Sequence, residues 1–466
     1  MSNVSEEQLK QLIAQTVTQV LGENSNDAVE WLCDNMDEAV ARARAAQKSL
    51  IAMPLTKRKE IITSIRRAAE ENADYLGRIA HEETGYGHTD QKAFKNVLMA
   101  KCTPGVEDLE TTAFSGDDGL TLIEHAPFGV IGSIIPSTNP TCSVINNAIS
   151  MISGGNAVVF NPHPAAKRCS QEAMRIVNEA ICKAGGPCGL VATVKKPDME
   201  SGRIMMEHRD IPLLSVTGGE AVVAAAMKTG KRVIAAGPGN PPAIVDDTAC
   251  IKKAAKDIVD GASYDNNVMC ISEKEVFAFE SIAEQLMEEM CKNGAYRIHG
   301  DEIDRVLKTT LIEKNGSYVI NRKFVGRDAA VILAEAGIAF TGQPRIIIAE
   351  VPRTHPFIMT EMMMPVLGIA KVIDFDDALA SALAAEKGCK HSAVIHSSDV
   401  HRLSRAAAAL NTTIFVKNGP SYAGNGFEGE GFATMTIATP TGEGQTSART
   451  FTRTRRCVLK GDLRII

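Results

Sequence analysis

Cys270 is the residue best placed for nucleophilic chemistry in this 466-residue chain. It closes the segment Asp265-Asn266-Asn267-Val268-Met269-Cys270, which leaves a predicted helix at 251–262 and enters a predicted strand at 275–278. A cysteine in such a loop can be exposed and its thiolate tuned by nearby charge, whereas a lone cysteine in apolar surroundings is more often inert filler. A second constellation, Thr217-Gly218-Gly219, ends a predicted strand and opens a helix. Amides and the positive helix terminus at such a turn can hold a pyrophosphate, although a tight turn calls for glycine without any ligand. A literal Gly-x-Gly-x-x-Gly at Gly424, Gly426 and Gly429 follows a proline-containing loop and precedes no good helix, so it is set aside.

These residues need elements to carry them. From 129 onward strand and helix alternate. Strands are predicted at 129–135, 157–160, 190–194, 213–217 and 232–235. Helices are predicted at 141–152, 165–184, 199–208 and 220–228. Such repeats imply an α/β fold with a doubly wound parallel sheet, whose ligands bind beyond the carboxyl ends of the strands. That directs attention to 136–140, 161–164, 217–219 and 235–241. Residues 30–105 read mostly as amphipathic helix, with Trp31, Leu32, Met36, Val40, Ile61, Ile62, Ile65 and Leu76 as core positions. A small β excursion occupies 109–124, and a second domain begins near Pro241.

The length exceeds what one core usually supports, so two or more domains are expected. With 44% hydrophobic and 23% charged residues and a net charge of −6, nothing advertises nucleic acid or an anionic membrane as a partner. Eleven irregularly spaced cysteines without a Cys-x-x-Cys pair, and no secretory signal, read as reduced cytosolic thiols, with no metal site expected. No apolar run approaches the roughly 18 residues of a membrane span. Residues 5–21 carry Leu9, Leu12, Ile13, Val17, Val20 and Leu21 on one helical face, between a Ser5 cap and a Gly22 stop. Two placements fit: an ordinary helix packed on the core, or a tethered helix docking on another protein. The second is the expectation.

Several segments in order resemble the aldehyde dehydrogenase superfamily. Pro127-Phe128-Gly129-Val130 and Pro136-Ser137-Thr138-Asn139-Pro140 are similar to its oxyanion loop, and Gly155-Asn156-Ala157-Val158-Val159 to the strand after it. Thr217-Gly218-Gly219 resembles the pyrophosphate turn, Asn267 to Cys270 the catalytic-cysteine motif, and Glu361-Met362-Met363-Met364-Pro365-Val366 the motif whose glutamate holds the nicotinamide ribose. The resemblance implies a Rossmann-type cofactor domain, an α/β catalytic domain and a small β oligomerisation arm. It implies that Cys270 adds to an aldehyde, that Asn139 and the Cys270 amide hold the oxyanion, and that a thioester forms after hydride transfer. Ser137, Thr138, Asn161, Thr217, Gly218, Gly219, Ala235, Gly237 and Glu361 are the implied cofactor contacts.

Hydrolytic members carry a glutamate where alignment on Gly237-Pro238-Gly239-Asn240-Pro241 puts Ala235. Alanine cannot activate water, so the thioester calls for a more acidic nucleophile. A thiol of pKa about 8.5 qualifies against about 15.7 for water, and coenzyme A is the expectation. The family's adenine-ribose lysine and glutamate fall at Asn161 and Pro164, which leaves NAD or NADP open, with NAD expected. Gly419-Pro420-Ser421-Tyr422-Ala423-Gly424, Thr439-Pro440-Thr441-Gly442-Glu443-Gly444 and Arg449 to Cys457 resemble the CoA-acylating propionaldehyde and acetaldehyde dehydrogenases of bacterial microcompartments. The resemblance gives residues 5–21 a shell-targeting role inside such a cytoplasmic compartment. Arg455 and Arg456 read as an exposed or inter-subunit patch, or as CoA-phosphate contacts. In related bifunctional enzymes the counterpart of His391 has a catalytic part. Here it is a base for the CoA thiol or an ordinary structural histidine.

The expected division is a targeting helix at 1–22, a cofactor domain at 28–108 and 124–240, and a catalytic domain at 241–431. An oligomerisation arm with the C-terminal segment takes 109–123 and 432–466. The expected reaction makes an acyl-CoA from a small aliphatic aldehyde in a homo-oligomer, dimer or dimer of dimers. The alternatives are a hydrolytic dehydrogenase giving the free acid and a catalytically idle interaction protein.

Overall fold

The structure, a computed structural model, describes residues 31–464, and the segment at 5–21 lies outside the described residues. The chain enters on an edge strand, β1 (Leu32–Cys33), followed by α1 (Met36–Ile51), α2 (Leu55–Glu71), α3 (Ala73–Thr84) and α4 (Thr89–Cys102). Asn35 starts α1 by accepting the Glu38 amide at 2.9 Å, and Gly85 ends α3 at φ 68°, a conformation glycine adopts without steric cost. Met36, Val40, Ile61, Ile62, Ile65 and Leu76 are buried, as their helical spacing requires. Leu32 departs from the helical expectation and pairs in β1.

A hairpin of β2 (Thr112–Gly116) and β3 (Gly119–Pro127) precedes the regular alternation. This runs β4 (Val130–Ile135), α5 (Pro140–Ser153), β5 (Ala157–Pro162), α6 (Lys167–Lys183), β6 (Val191–Val194), α7 (Met199–Glu207), β7 (Leu213–Thr217), α8 (Glu220–Met227) and β8 (Arg232–Ala236). The strands form one parallel sheet in the order β1-β6-β5-β4-β7-β8. The chain winds outward from β4 in one direction and resumes on its other side at β7. The loops after β4 and β7 therefore flank the switch point, where such sheets open a crevice.

The second sheet contains β9 (Pro242–Val245), then after α9 (Ile251–Ser263) β10 (Glu275–Phe279) and β11 (Ala295–Ile298). The exposed hairpin β12 (Leu311–Lys314) and β13 (Ser317–Ile320) interrupts before β14 (Ile346–Glu350), β15 (Val366–Val372), β16 (Ser392–His396) and β17 (Ile414–Lys417). Its order is β11-β14-β15-β10-β9-β16-β17, all parallel. Strands β5 and β10 are buried throughout, so both their faces are covered, as parallel sheets demand. After the short strands β18 (Ile437–Ala438) and β19 (Gly444–Gln445), β20 (Thr452–Lys460) pairs antiparallel with β3 to complete a three-stranded arm. This sheet is the opposite of the other two: β2 is exposed throughout, and only Thr452 of β20 is buried. Arg455 and Arg456 lie on that exposed strand, opposite Glu124 and Ile123.

The expectation of uniformly reduced cysteines fails at one place. Cys182, in the last turn of α6, is joined to Cys188 by a disulfide, because the helix ends in a glycine turn that folds the chain back. Among the described residues no helix is long and apolar enough to cross a membrane.

Candidate active site

Leaving α9, the backbone passes through three consecutive left-handed residues, Asp265 (φ 49°), Asn266 (φ 53°) and Asn267 (φ 64°). Aspartate and asparagine tolerate this region better than other non-glycine residues, and contacts must still hold them there. The Asp265 amide donates to Gln91 Oε1 at 2.6 Å, Asn266 Nδ2 donates to the Gly326 carbonyl at 3.0 Å and to Asp328 at 2.7 Å, and Lys274 holds Asn267. Its ammonium donates to the Asn267 carbonyl at 2.7 Å, the Asn267 Oδ1 and the Met269 carbonyl at 3.0 Å. The Asn267 amide group in turn donates to the carbonyls of Ala262 and Glu273. Every residue from 261 to 279 is buried except Cys270, which is partly exposed. The loop thus presents one side chain, and that side chain is a thiol.

The surroundings favour the neutral thiol over the thiolate. Burial, joined by the Glu361 carboxylate and opposed by Lys274, pushes it up to about 12. Cys270 is therefore protonated at neutral pH, and its activation needs a proton acceptor. Glu361 is pushed up by burial against the pull of Lys274, and its carboxylate accepts the Gly239 amide. Cys270, Glu361 and the Gly237–Gly239 turn are thereby gathered around Lys274.

His391 belongs to the same group. A side chain added at Gly239 would place its Cβ 2.7 Å from the His391 Cγ, so the imidazole packs directly on that turn. The ring is 1% exposed, and its Nδ1 lies 3.1 Å from the Ser392 hydroxyl. Its Nε2 meets no partner among the described residues. Burial, then Lys274, lowers its pKa to about 4, so the ring is neutral at pH 7 and one nitrogen accepts protons. Ala235 lies fully buried in β8, its amide donating to the Thr441 hydroxyl at 3.0 Å. It offers only a methyl group.

The other half of the site hangs from the first sheet. Ser137 and Thr138 follow β4, and Asn139 occupies the N-cap position of α5 with Pro140 in its first turn. Asn139 Oδ1 accepts from the Lys95 ammonium of α4 at 2.5 Å. The same ammonium binds the Asp265 carboxylate, which also receives Lys92 Nζ at 3.1 Å and the His88 amide at 3.0 Å. Lys92 reaches the Thr138 carbonyl at 3.3 Å. Burial pushes Asp265 up, but Lys92 and Lys95 outweigh it and hold the carboxyl below its ordinary range. Burial lowers Lys92 in spite of that partner. One buried ion cluster thus ties the loop after β4 to the nucleophile loop of the other sheet.

The turn at the switch point leaves space before a helix terminus. Thr217 ends β7, Gly218 donates its amide to Ala236, and Gly219 caps α8, with nothing within 4 Å of the place a Cβ would occupy. That open space before a helix terminus suits a phosphate. The tail roofs the crevice: Thr436 Oγ1 is 3.5 Å from Thr217 Oγ1, and Pro440 lies over Gly237. Asn161, expected near the adenine ribose, spends its carboxamide on the start of α7, donating to the Asp198 carbonyl and accepting from Ser201. Gly424, Gly426 and Gly429 lie in and after a single-turn 3₁₀ segment at Ser421–Asn425 that opens no α-helix.

Sequence reasoning passed over Lys92, Lys95, Lys274, Thr436 and Thr441. For the first two a signal existed. Lys92, Asn96 and Met99 share the buried stripe of α4 with Lys95 beside them, and a lysine on an apolar stripe must find a partner. Lys274 stands four residues beyond the motif read for its cysteine.

The sequence matches the Aldehyde dehydrogenase family over residues 28–434. It is 48% identical over 435 residues to "Acetaldehyde dehydrogenase (acetylating) EutE" of Salmonella typhimurium, covering 93% of each chain. Among solved structures, a propionaldehyde dehydrogenase from the fucose utilisation bacterial microcompartment of Clostridium phytofermentans superposes with a TM-score of 0.91 at 49% identity, over 93% of this chain and 99% of that one. A propionaldehyde dehydrogenase of Rhodopseudomonas palustris, solved with bound CoA and an acylated cysteine, gives 0.90 at 45% identity, over 92% and 98%.

Proposed function

The chain belongs to the aldehyde dehydrogenase family, and from that premise we propose that it converts a short aliphatic aldehyde, propionaldehyde or acetaldehyde, to its acyl-CoA. The observation that carries this reading is near-half identity, along almost the whole chain, to relatives named as acylating enzymes. The buried methyl of Ala235, where a water-activating carboxylate would stand, supports it.

In this reading Cys270 gives up its thiol proton to the neutral His391 ring, which passes it to solvent, and its sulfur adds to the aldehyde carbon. The oxygen becomes an oxyanion between the Asn139 Nδ2 and the Cys270 amide, each such donor being worth about 10²–10³ in rate. NAD, or NADP, supplies the hydride acceptor when bound. Gly218, Gly219 and Glu361 would hold it, and loss of hydride from the carbon would leave a thioester on Cys270. The CoA sulfur then attacks the thioester carbonyl and Cys270 departs. Neutral His391 receives the CoA thiol proton through its unpartnered Nε2 and returns it to the departing Cys270 sulfur, which restores the resting thiol. Aldehyde, NAD and CoA thus become acyl-CoA, NADH and one proton.

The exposed arm of β2, β3 and β20 joins copies of the chain into a homo-oligomer, since an open sheet edge with Phe114 and Val458 more than half exposed invites pairing. Residues 1–22 address the enzyme to a microcompartment shell, a reading supported by the microcompartment origin of the Clostridium relative. Removing them should leave activity intact and abolish co-purification with the shell; loss of folding instead would return the segment to the core. The main test follows NADH from propionaldehyde with and without CoA, for NAD and NADP in turn. Turnover at full rate without CoA, releasing free propionate, would overturn the acylating reading.

A further inference from the structure

We infer that Lys95 is a positioning residue for the oxyanion donor, fixing which end of the Asn139 carboxamide faces the reacting carbonyl. The inference rests on the reading of Asn139 given above and adds to it a residue of α4 that none of the quoted motifs contains.

An asparagine carboxamide has a donating and an accepting end and turns readily about its terminal torsion. Only the donating end helps an oxyanion, and the accepting end would repel it. A lysine ammonium has three donors and no acceptor, so whatever faces it must be Oδ1. Lys95 Nζ lies 2.5 Å from that atom. The Asn139 Nδ2 is thereby turned away from Lys95, with only a long 3.4 Å contact to the Thr138 hydroxyl to occupy it. The ammonium also draws electron density from the amide oxygen, which makes the N–H groups stronger donors.

Lys95 is itself held. It is 2% exposed and bound to the fully buried Asp265, whose amide is donated to the Gln91 side chain at 2.6 Å. Asp265 stands five residues before Cys270 in the same loop, whereas Asn139 belongs to the other sheet's loop. One side chain therefore spans the nucleophile loop and the oxyanion donor. The cluster holds two lysines against one carboxylate, which places net positive charge behind Asn139 when all three are ionised.

A positioning role makes a prediction that a purely structural role does not: the effect of Lys95 must pass through Asn139. The test is a double-mutant cycle on the full chain, read as the pre-steady-state burst of NADH from propionaldehyde and NAD with CoA present. Asn139→Ala should slow the burst about 10²–10³-fold. Lys95→Met, close in length and uncharged, should slow it about 10–100-fold with a smaller change in KM, and Lys95→Arg should restore most of the loss. In the Asn139→Ala background, Lys95→Met should change the burst by less than about twofold. A loss of the same size in both backgrounds, or no loss in the native background, overturns the inference. If Lys95→Met does not fold, the same cycle with Lys95→Gln decides by the same criterion. Failure of the underlying reading looks different: Asn139→Ala would then be as fast as the parent, or the parent would give no burst.

Discussion

Two buried lysines stand on either side of the nucleophile loop, and they hold it in different ways. Lys274 bonds only within its own stretch of chain, to Asn267 and Met269, five to seven residues away. Lys95 bonds across the molecule, to Asn139 and Asp265, 44 and 170 residues away. The first fixes the last of three left-handed residues and the turn from it to Met269. The second sets the distance between that backbone and the other sheet. One constraint is local in sequence and the other long-range.

The difference predicts unequal costs. Lys274→Met strands two carbonyls and the Asn267 Oδ1 in a dry interior, and each unsatisfied buried acceptor costs about 1–3 kcal/mol. A loss of about 3–5 kcal/mol in urea unfolding is expected. Lys95→Met leaves Asp265 with Lys92 and the His88 amide, so about 1–2 kcal/mol is expected there. Equal losses would mean that both lysines are simply buried cations of the fold, and the distinction between latch and bridge would go.

Reactivity of the thiol sharpens the contrast. With its pKa pushed up to about 12, Cys270 in the cofactor-free enzyme is a thiol throughout the neutral range. Alkylation of its peptide by iodoacetamide, followed by mass spectrometry, should rise about tenfold per pH unit from pH 7 to 10 without levelling off. Lys274 is the cation that lowers this pKa, so Lys274→Met should slow alkylation several-fold at any pH in that range. Lys95→Met should change it less, because Glu361 and Lys274 are the charges that act most strongly on the thiol. A plateau near pH 8 in the parent would show a thiol activated without cofactor.

The sequence made some of this legible and hid the rest for a physical reason. Strand-helix periodicity located β4 to β8 within a residue or two, because two-sided burial writes itself as short apolar runs. Cys270 stood out by its loop between helix and strand, while Asn139, Glu361 and His391 stood out only through motifs that resemble a family. Lys92, Lys95 and Lys274 did not, since a lysine is usually a surface residue and only its partners reveal otherwise. Those partners are 46 and 173 residues from Lys92, and 44 and 170 from Lys95. Nor could spacing reveal that the thiol is raised rather than lowered, because burial and the Glu361 carboxylate act through space. The two-residue strand β1 was absorbed into a helix because Leu32 lies in step with the apolar positions of α1.

The buried carboxylates beside the two lysines allow a last and smaller test, with opposite signs. Asp265 is fully partnered and held below its ordinary range. Its contribution to stability is present above the unfolded pKa of about 3.9 and is lost as pH falls through the lower folded value. Glu275, next to Lys274 at the start of β10, is fully buried, and neither of its carboxyl oxygens finds a donor among the described residues. Burial raises it well above the usual carboxylate range. The folded state therefore keeps a proton that the unfolded chain releases, so this group's contribution is intact below about pH 4.3 and is lost as pH rises through the folded pKa. Glu275→Gln removes the ionisation and should stabilise the protein by about 1 kcal/mol or more at pH 8, less at pH 5. Asp265→Asn should be destabilising at both. Urea midpoints of the two variants against the parent at pH 5 and pH 8 decide it, and a Glu275→Gln difference independent of pH would show that this carboxyl has found a partner in solution.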